Sequence, residues 1–303
     1  MKLEKITHIG SRGIMFTYEY GDSVYLINCF NKLVLCDTSE GIEEMEYVKT
    51  YLKENNLEKK ALFIFNSHSD YDHVWGNEFF ENENIIASDE CLYRMKERGE
   101  LDLEIFSNQN TKLKYPNITF SNKLKFIDEE IEFIYAPGHT ICSAICFDKL
   151  DNVLYVGDLL EKPIPVLSYI DLSCYIKTLE LIKNLNVKYL ITTHSEIVDN
   201  DLINQHIQYL NDVIMGKYLT FTNEFMPIRH AYNLKNLLLL EYDELFKAKL
   251  KANFNYKTYK EDLWEFICCK QNLYNKQVWD IRELSYEDLQ YLLKEYYGRK
   301  FNC

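Results

Sequence analysis

Apolar residues fall in short, nearly unbroken runs through the first two thirds of the chain. The runs are IMFTYEY (14–20), SVYLINC (23–29), KLVLCD (32–37), ALFIFN (61–66), IIAS (85–88), IEFIYA (131–136), AICFD (144–148), VLYVGD (153–158) and YLITTH (189–194). They are rich in β-branched and aromatic side chains, and their length predicts strands. Gly21-Asp22, Asn31-Lys32 and Asp151-Asn152 separate neighbouring runs as turns. Between the runs the apolar spacing changes to every three or four residues. Ile42, Met45, Val48 and Leu52 make one stripe, Leu172, Ile176, Leu179, Ile182 and Leu185 a second, and Leu202, His206, Leu210 and Ile214 a third. Such stripes predict helices, and Asp89 to Arg98 predicts another that Gly99 stops. Strands alternating with helices predict an α/β fold with large, partly antiparallel sheets.

After about residue 215 the strand pattern disappears. Leu234, Leu238, Tyr242 and Leu245 share one helical face. Thr258-x-x-Glu261 and Ser285-x-x-Asp288 read as capping boxes that open helices, and Gly298 closes the last. The chain therefore divides into a catalytic domain over 1–214 and an all-helical C-terminal appendage over 215–303. The link around 215–233 is not rich in Gly or Ser, so the appendage is expected to pack on rather than hang from a tether.

Composition narrows the classes of function. The 303 residues are 47% hydrophobic and 27% charged, with only 10 Gly and 5 Pro, which suits a sizeable core and excludes long low-complexity tracts. Subtracting 47 acidic from 34 basic side chains leaves a net charge of -13. Residues 1–205 hold 20 basic and 34 acidic side chains, net -14, and the remainder 14 and 13, net +1. Nucleic acid and anionic membrane both need a basic footprint, so neither is an expected partner. No apolar run of about 18 residues is present, which argues against a membrane span. The nine Cys form no C-x-x-C pair, and the first residues lack a secretory apolar stretch, so a cytoplasmic setting with Cys as small core groups is expected.

Candidate chemistry concentrates in NSHSDYDHVWGN (66–77), directly after the run ALFIFN. His68, Asp70, Asp72 and His73 lie within six residues. In an extended chain 68, 70 and 72 point the same way and 73 turns aside, so four metal-capable groups focus on a small volume. Imidazole together with carboxylate suits zinc, iron or manganese. His139, Asp158 and His194 repeat the arrangement, each at the C-terminal end of an apolar run. Four of the 7 His fall in these motifs.

These residues resemble the metallo-β-lactamase superfamily. His68-Ser-Asp70-Tyr-Asp72-His73 matches its H-x-H-x-D-H motif with one departure, Pro137-Gly138-His139-Thr140 its later histidine, Gly157-Asp158 its aspartate and His194 its final histidine. The order and spacing cover roughly residues 5–214. The resemblance implies a four-layered αββα sandwich holding two divalent metal ions between its sheets, zinc first, with iron or manganese as alternatives. By position, His68, Asp70 and His139 would hold one metal, Asp72, His73 and His194 the other, and Asp158 would bridge. Asp70 stands where the family usually has histidine. Three carboxylates in place of two lower the formal charge of a two-dication site with one hydroxide from about +1 to about 0. That shift favours harder or redox metals, and the flavodiiron branch also carries a carboxylate, glutamate, at this position.

The resemblance implies hydrolysis by a metal-bridging hydroxide; a small-molecule ester, thioester or lactone is the expected substrate, and Asp72 is the candidate to orient the water and shuttle its proton. The competing expectation is a di-iron oxygen-binding or redox protein without a flavin domain. A homodimer through the helical C-terminal region is a further expectation. The loops around 11–15 and 160–170 and the tail would set the substrate. Other residues have plainer readings. Tyr71 and Trp75 wall the pocket or fill core. Asp37 is read first as a strand-end turn and second as a residue able to support a ligand, His206 as a core or interface group, and Cys268-Cys269 as packing. His8 precedes Gly10-Ser11-Arg12-Gly13, a hairpin placed to overhang the site. Glu43-Glu44 and Glu129-Glu130 read as solvated faces.

Overall fold

A computed structural model describes residues 1–80, 82–106, 111–217, 219–221 and 225–250. One sheet contains β1 (Leu3–Ile9), β2 (Gly13–Tyr18), β3 (Ser23–Asn28), β4 (Lys32–Cys36), β5 (Ala61–Phe65), β6 (Asn84–Ser88) and β7 (Ile118–Phe120), in chain order from edge to edge. The first four strands are antiparallel, and from β4 onward neighbours are parallel. The change coincides with the first crossover helix, α1 (Ile42–Glu54), because parallel neighbours cannot be joined by a tight hairpin. A short helix α2 (Tyr71–Val74) follows β5, and α3 (Asp89–Phe106) follows β6.

The second sheet contains β8 (Lys123–Phe126), β9 (Ile131–Tyr135), β10 (Ala144–Asp148), β11 (Val153–Tyr155), β12 (Tyr189–Ile191) and β13 (Ile197–Val198). Its one parallel pair, β11 with β12, is joined through α4 (Leu172–Leu185). Helices α5 (Asn200–Ile214) and α6 (Phe225–Leu250) complete the described elements. Asp171 caps α4 by accepting from the Cys174 amide, and Asp199 caps α5 by accepting from Asp201 and Leu202.

Alternation along single strands assigns the layers. On β4, Val34 and Cys36 face the second sheet, while Leu33 and Leu35 pack with Met45, Val48 and Leu52 of α1. On β11, Val153 and Tyr155 face the first sheet, while Leu154 packs with Leu179 of α4 and Leu210 of α5. Both faces of the central strands are therefore covered, which is why they read as continuous apolar runs. The result is the helix–sheet–sheet–helix sandwich expected from the motifs. Leu234 and Leu237 of α6 are buried in the same cluster as α4 and α5. Leu238, Tyr242 and Leu245 have no described side chains, and the capping boxes at 258–261 and 285–288, Gly298 and Cys268-Cys269 lie outside the described residues.

Several expectations need correction. Gly99 does not stop α3, which continues to Phe106. A Cβ at Gly99 would lie 2.6 Å from Leu113 Cδ1, so the residue provides close packing rather than a terminus. Strands β1, β7, β8 and β13 carry no apolar run, because they are edge or near-edge strands, short or half exposed. The Gly10–Gly13 hairpin does not overhang the motif residues. Asp151 accepts from the amides of Ser11 (2.6 Å) and Arg12 (2.9 Å), which ties the hairpin to the β10–β11 turn at the opposite end of β11 from Asp158. Glu44 and Glu129 are buried rather than solvated. Glu129 accepts from the Asn31 amide and pairs with Lys32 at 3.4 Å.

Phe133 sits between the sheets, with ring centroids 5.0 Å from Phe65 and 5.4 Å from Phe126. Phe133→Ala is expected to cost about 3–5 kcal/mol in urea unfolding, whereas Ile127→Ala, at a residue 81% exposed, should change stability by less than about 0.5 kcal/mol. Equal effects would refute this placement of the core.

Candidate metal centre

Four strand ends deliver the motif residues to one rim of the sandwich. The chain leaves β5 at Phe65 and reaches His68, Asp70, Asp72 and His73 within eight residues. His139 follows β9, Asp158 follows β11, and His194 follows β12. Asp70 occupies the residue before α2 in an extended conformation (φ -68°, ψ 148°) and makes no capping bond, so its carboxylate is left for the site. Gly157 has φ +54°, and a Cβ there would lie 2.6 Å from Ser67 Oγ; the turn that presents Asp158 needs glycine for both reasons.

All seven residues converge. Ligand-capable atoms of His68, Asp70 and His139 lie within 4.8 Å of one another, as do those of His68, His73 and Asp158, and those of Asp72, His73 and His194. Asp158 Oδ2 is central, 3.9 Å from His68 Nε2, 3.3 Å from His73 Nε2, 3.8 Å from His139 Nε2 and 3.2 Å from His194 Nε2. Asp70 Oδ2 lies 3.6 Å from His68 Nε2 and 3.5 Å from His139 Nε2. Asp72 Oδ2 lies 3.7 Å from His73 Nε2 and 3.3 Å from His194 Nε2. Depth is graded: the side chains of Asp158, Asp72 and Asp70 are 7%, 21% and 43% exposed, so the centre opens on the side of Asp70 and Asp72.

Every imidazole turns Nε2 inward and fastens Nδ1 outside. His73 Nδ1 lies 2.7 Å from Asp37 Oδ2, His194 Nδ1 2.6 Å from Asp22 Oδ1, and His139 Nδ1 3.0 Å from the Val166 carbonyl. A carbonyl only accepts, so His139 carries a proton on Nδ1, and it is Nε2 that faces the centre and would offer a lone pair once its own proton leaves. His68 Nδ1 lies 3.0 Å from Ser67 Oγ, whose hydroxyl donates to Asp37 Oδ2 at 2.6 Å; His68 therefore donates to Ser67. These anchors fix tautomer and ring orientation. The motif reading did not find Asp22, Ser67 or Val166, and at Asp37 it favoured the turn over support of a ligand. That residue does turn the chain (φ +60°), but it is also fully buried and accepts from Ser67, His73 and Tyr155.

The residues present fit a cation. Nε2 of His68, His73 and His139 and Oδ1 of Asp158 are buried without a hydrogen-bond partner. Buried polar atoms are rarely left unpaired, and here four of them border one volume. The charge distribution agrees. Burial opposes ionisation of Asp158, yet His194 and His73 hold its carboxyl well below the usual range. Burial likewise opposes protonation of His139, but Asp70 and then Asp158 push it up to about 9. His73 is also raised well above its ordinary value, against burial, by Asp158, Asp72 and Asp37. Protons thus occupy the place of positive charge that cations would fill.

Tyr71 and Trp75 lie to one side. Trp75 is buried with Cys91, Met95 and Cys142, and Tyr71 stacks on Phe106 at 5.1 Å. His206 is buried and donates Nε2–H to the Glu161 carbonyl at 2.9 Å, as a core group. His230 faces the Tyr209 hydroxyl at 2.9 Å.

A two-sheet sandwich with a rim of inward-facing imidazoles and carboxylates defines a metal-binding α/β protein. Residues 19–194 match the metallo-beta-lactamase superfamily, and the chain belongs to that superfamily. It is 31% identical over 172 residues, covering 54% of this chain and 72% of the relative, to a "Probable metallo-hydrolase" of Methanocaldococcus jannaschii. It is 24% identical to a "Beta-lactamase-like protein 2 homolog" of Caenorhabditis elegans over 62% of this chain and 61% of the relative. Among solved structures, a metallo-beta-lactamase from Pontibacter korlensis superposes with a TM-score of 0.56 at 19% identity, covering 70% of this chain and 100% of that one. A mono-zinc metallo-beta-lactamase from Pseudomonas aeruginosa superposes with a TM-score of 0.57 at 12% identity over 70% and 96%. Among the described residues no helix is long and apolar enough to cross a membrane.

The raised His139 sets a pH dependence for metal-free protein. Its stabilising contribution is complete below about pH 6.5 and is lost as pH rises through about 9. The depressed Asp158 acts oppositely, contributing above about pH 3.8 and losing its effect as pH falls through its folded value. Urea melts in the presence of chelator should therefore show His139 contributing on the order of 3 kcal/mol near pH 6 that is gone by pH 10. A His139→Gln variant should lose this part of the slope, while the raised His73 keeps its own; an unchanged slope would refute the arrangement.

Proposed function

We propose that the protein is a dinuclear metallo-hydrolase acting on a small ester, thioester or lactone. The supporting observation is the position of Asp158 Oδ2 within 4 Å of all four inward-facing Nε2 atoms, between two histidine–aspartate groups. In this reading His68, Asp70 and His139 would hold one cation and Asp72, His73 and His194 the other, with Asp158 available to both. Residues 1–214 carry the chemistry, with 215–303 joined onto them. Two divalent cations, zinc first and iron or manganese as alternatives, would lower the pKa of water toward neutrality and polarise a substrate carbonyl.

The protein's own residues supply the rest. Asp37, Asp22, Val166 and Ser67 keep the four imidazoles in the tautomer that points Nε2 inward. Asp158, at the buried floor, brings negative charge where water cannot screen it. Asp72 is the more accessible carboxylate of the second group and accepts the proton released when water attacks, then returns it to the leaving group. The opening beside Asp70 and Asp72 admits substrate. A formal charge of -14 over residues 1–205 disfavours polyanionic substrates, which supports an acyl compound over a nucleic acid. Six described cysteines are free thiols, in keeping with a cytoplasmic setting.

Asp70 favours a second reading, a di-iron oxygen-binding or redox protein, because it adds an oxygen donor between His68 and His139. Anaerobic purification with iron analysis separates the two. A colourless protein that binds zinc and turns over substrate supports the hydrolase; an iron protein whose absorption changes with oxygen supports the alternative.

The direct test reconstitutes the protein with zinc, manganese or iron and assays p-nitrophenyl acetate, an acyl thioester, a lactone and a phosphodiester. Acyl or lactone turnover that Asp158→Ala abolishes is the expected result. Asp22→Asn should retain the fold and weaken metal affinity by about 10-fold or more, through His194. Turnover equal in Asp158→Ala, or absent with every metal, refutes the hydrolase.

A further inference from the structure

Residues 161–168 cross between the centre and α6 without forming a helix or strand. Backbone groups in such a segment must find partners outside the regular ladders. Helix α6 provides them. Arg229 donates to the carbonyls of Lys162 and Ile164, each at 3.2 Å, and to Glu161 Oε2 at 3.1 Å. Asn233 donates to the Pro165 carbonyl at 2.7 Å and accepts from the Leu167 amide at 3.0 Å, and Asn236 donates to the Leu167 carbonyl at 3.0 Å. Residues 229, 233 and 236 are spaced by four and three, so they share one face of the helix.

The other side of the strap faces the centre. In an extended chain the backbone groups of successive residues point to opposite sides. Pro165 and Leu167 turn theirs to α6, and Val166 and Ser168 turn theirs to His139. The Val166 carbonyl holds His139 Nδ1 at 3.0 Å, and the Ser168 amide donates to the His139 carbonyl at 3.0 Å. His139 is thus gripped at ring and backbone by a segment whose reverse side is gripped by asparagines.

We propose that Asn233, supported by Asn236, is a positioning residue for His139: through the 165–168 strap, helix α6 sets the geometry of the metal site that His139 shares with His68 and Asp70. This assignment rests on the dinuclear reading above. It makes α6 part of the metal centre's construction rather than an attachment to it. Asn233 is fully buried, and its amide group also donates to the Tyr209 hydroxyl at 3.0 Å, so both its faces are committed. Aspartate has the same shape but puts an oxygen against the Pro165 carbonyl and loses the donor.

The test uses the full-length chain. Zinc affinity is measured by competition with a chromophoric chelator, and the cobalt-substituted protein is followed by visible absorption. Wild type should bind two equivalents. Asn233→Asp should weaken one of them by about 10-fold and change the cobalt spectrum of that site, leaving the other equivalent at wild-type affinity. Asn236→Ala, which removes one strap bond, should weaken the same equivalent by about threefold, and serves if Asn233→Asp does not fold. In an Asp70→Ala background, where that site is already lost, Asn233→Asp should change nothing further. Leu237→Ala, buried on the same helix without a strap bond, should lower thermal stability but bind both equivalents as wild type does. If both asparagine variants bind zinc like wild type, or Leu237→Ala weakens the same equivalent equally, the inference fails alone. A wild type that takes up fewer than two equivalents overturns the dinuclear reading, and the inference with it.

Discussion

One buried carboxylate joins the fold to the chemistry. Asp37 follows β4, and its two oxygens accept from the Ser67 amide (2.7 Å), Ser67 Oγ (2.6 Å), His73 Nδ1 (2.7 Å) and the Tyr155 hydroxyl (2.7 Å). Those donors come from the β5 exit, from α2 and from the opposing sheet. A carboxylate this deep costs several kcal/mol unless its lone pairs are filled, and removing it would leave the donors stranded in turn. The spacing of the sheets and the orientation of two imidazoles are therefore settled by the same bonds. Tyr155 extends the linkage, since its hydroxyl lies 2.9 Å from Thr193 Oγ1, the residue before His194.

What the sequence made legible follows from what carries a local signature. Strands β5, β9, β11 and β12 are covered on both faces, so they appear as apolar runs, and the site residues stand just beyond them. Helices α1, α4 and α5 bury one stripe each and show it. The outer anchors carry no such mark. Val166 contributes a backbone carbonyl, which any residue has, and Asp22 sits in a turn where aspartate is common for its own reasons. Asp37 looked like a turn residue because it is one; only the folded packing shows that its carboxylate also reaches His73. Edge strands such as β8, with alternating half-exposed lysines, lack the apolar density that identifies central strands. The boundary at Gly99 was misplaced because a glycine needed for contact with Leu113 looks, in sequence, like one that ends a helix.

Asp70 is the feature that sets this site apart from the superfamily's usual motif, and its backbone explains how it serves there. Aspartate is shorter than histidine and must begin nearer the centre. The extended conformation at the threshold of α2, with the capping role given up, brings its Oδ2 about as close to His68 and His139 as Asp158 Oδ2 comes to His73 and His194. The added negative charge lies on the exposed side. That side of the centre therefore presents a carboxylate where the superfamily's motif would present an imidazole, and its negative charge disfavours anions there.

Preorganisation and instability are two consequences of the same construction. Each imidazole is oriented from outside, so a cation arriving at the centre need not pull a side chain into place, and little ordering entropy is spent on binding. Three carboxylates gathered at one point repel one another, and raised histidines offset that repulsion only while they keep their protons. A cation held at the centre would displace those protons and take over the neutralisation, so loading would add stability in proportion to the logarithm of metal concentration over its dissociation constant. The network around Asp37 is then best understood as holding open a geometry that the charges alone would drive apart.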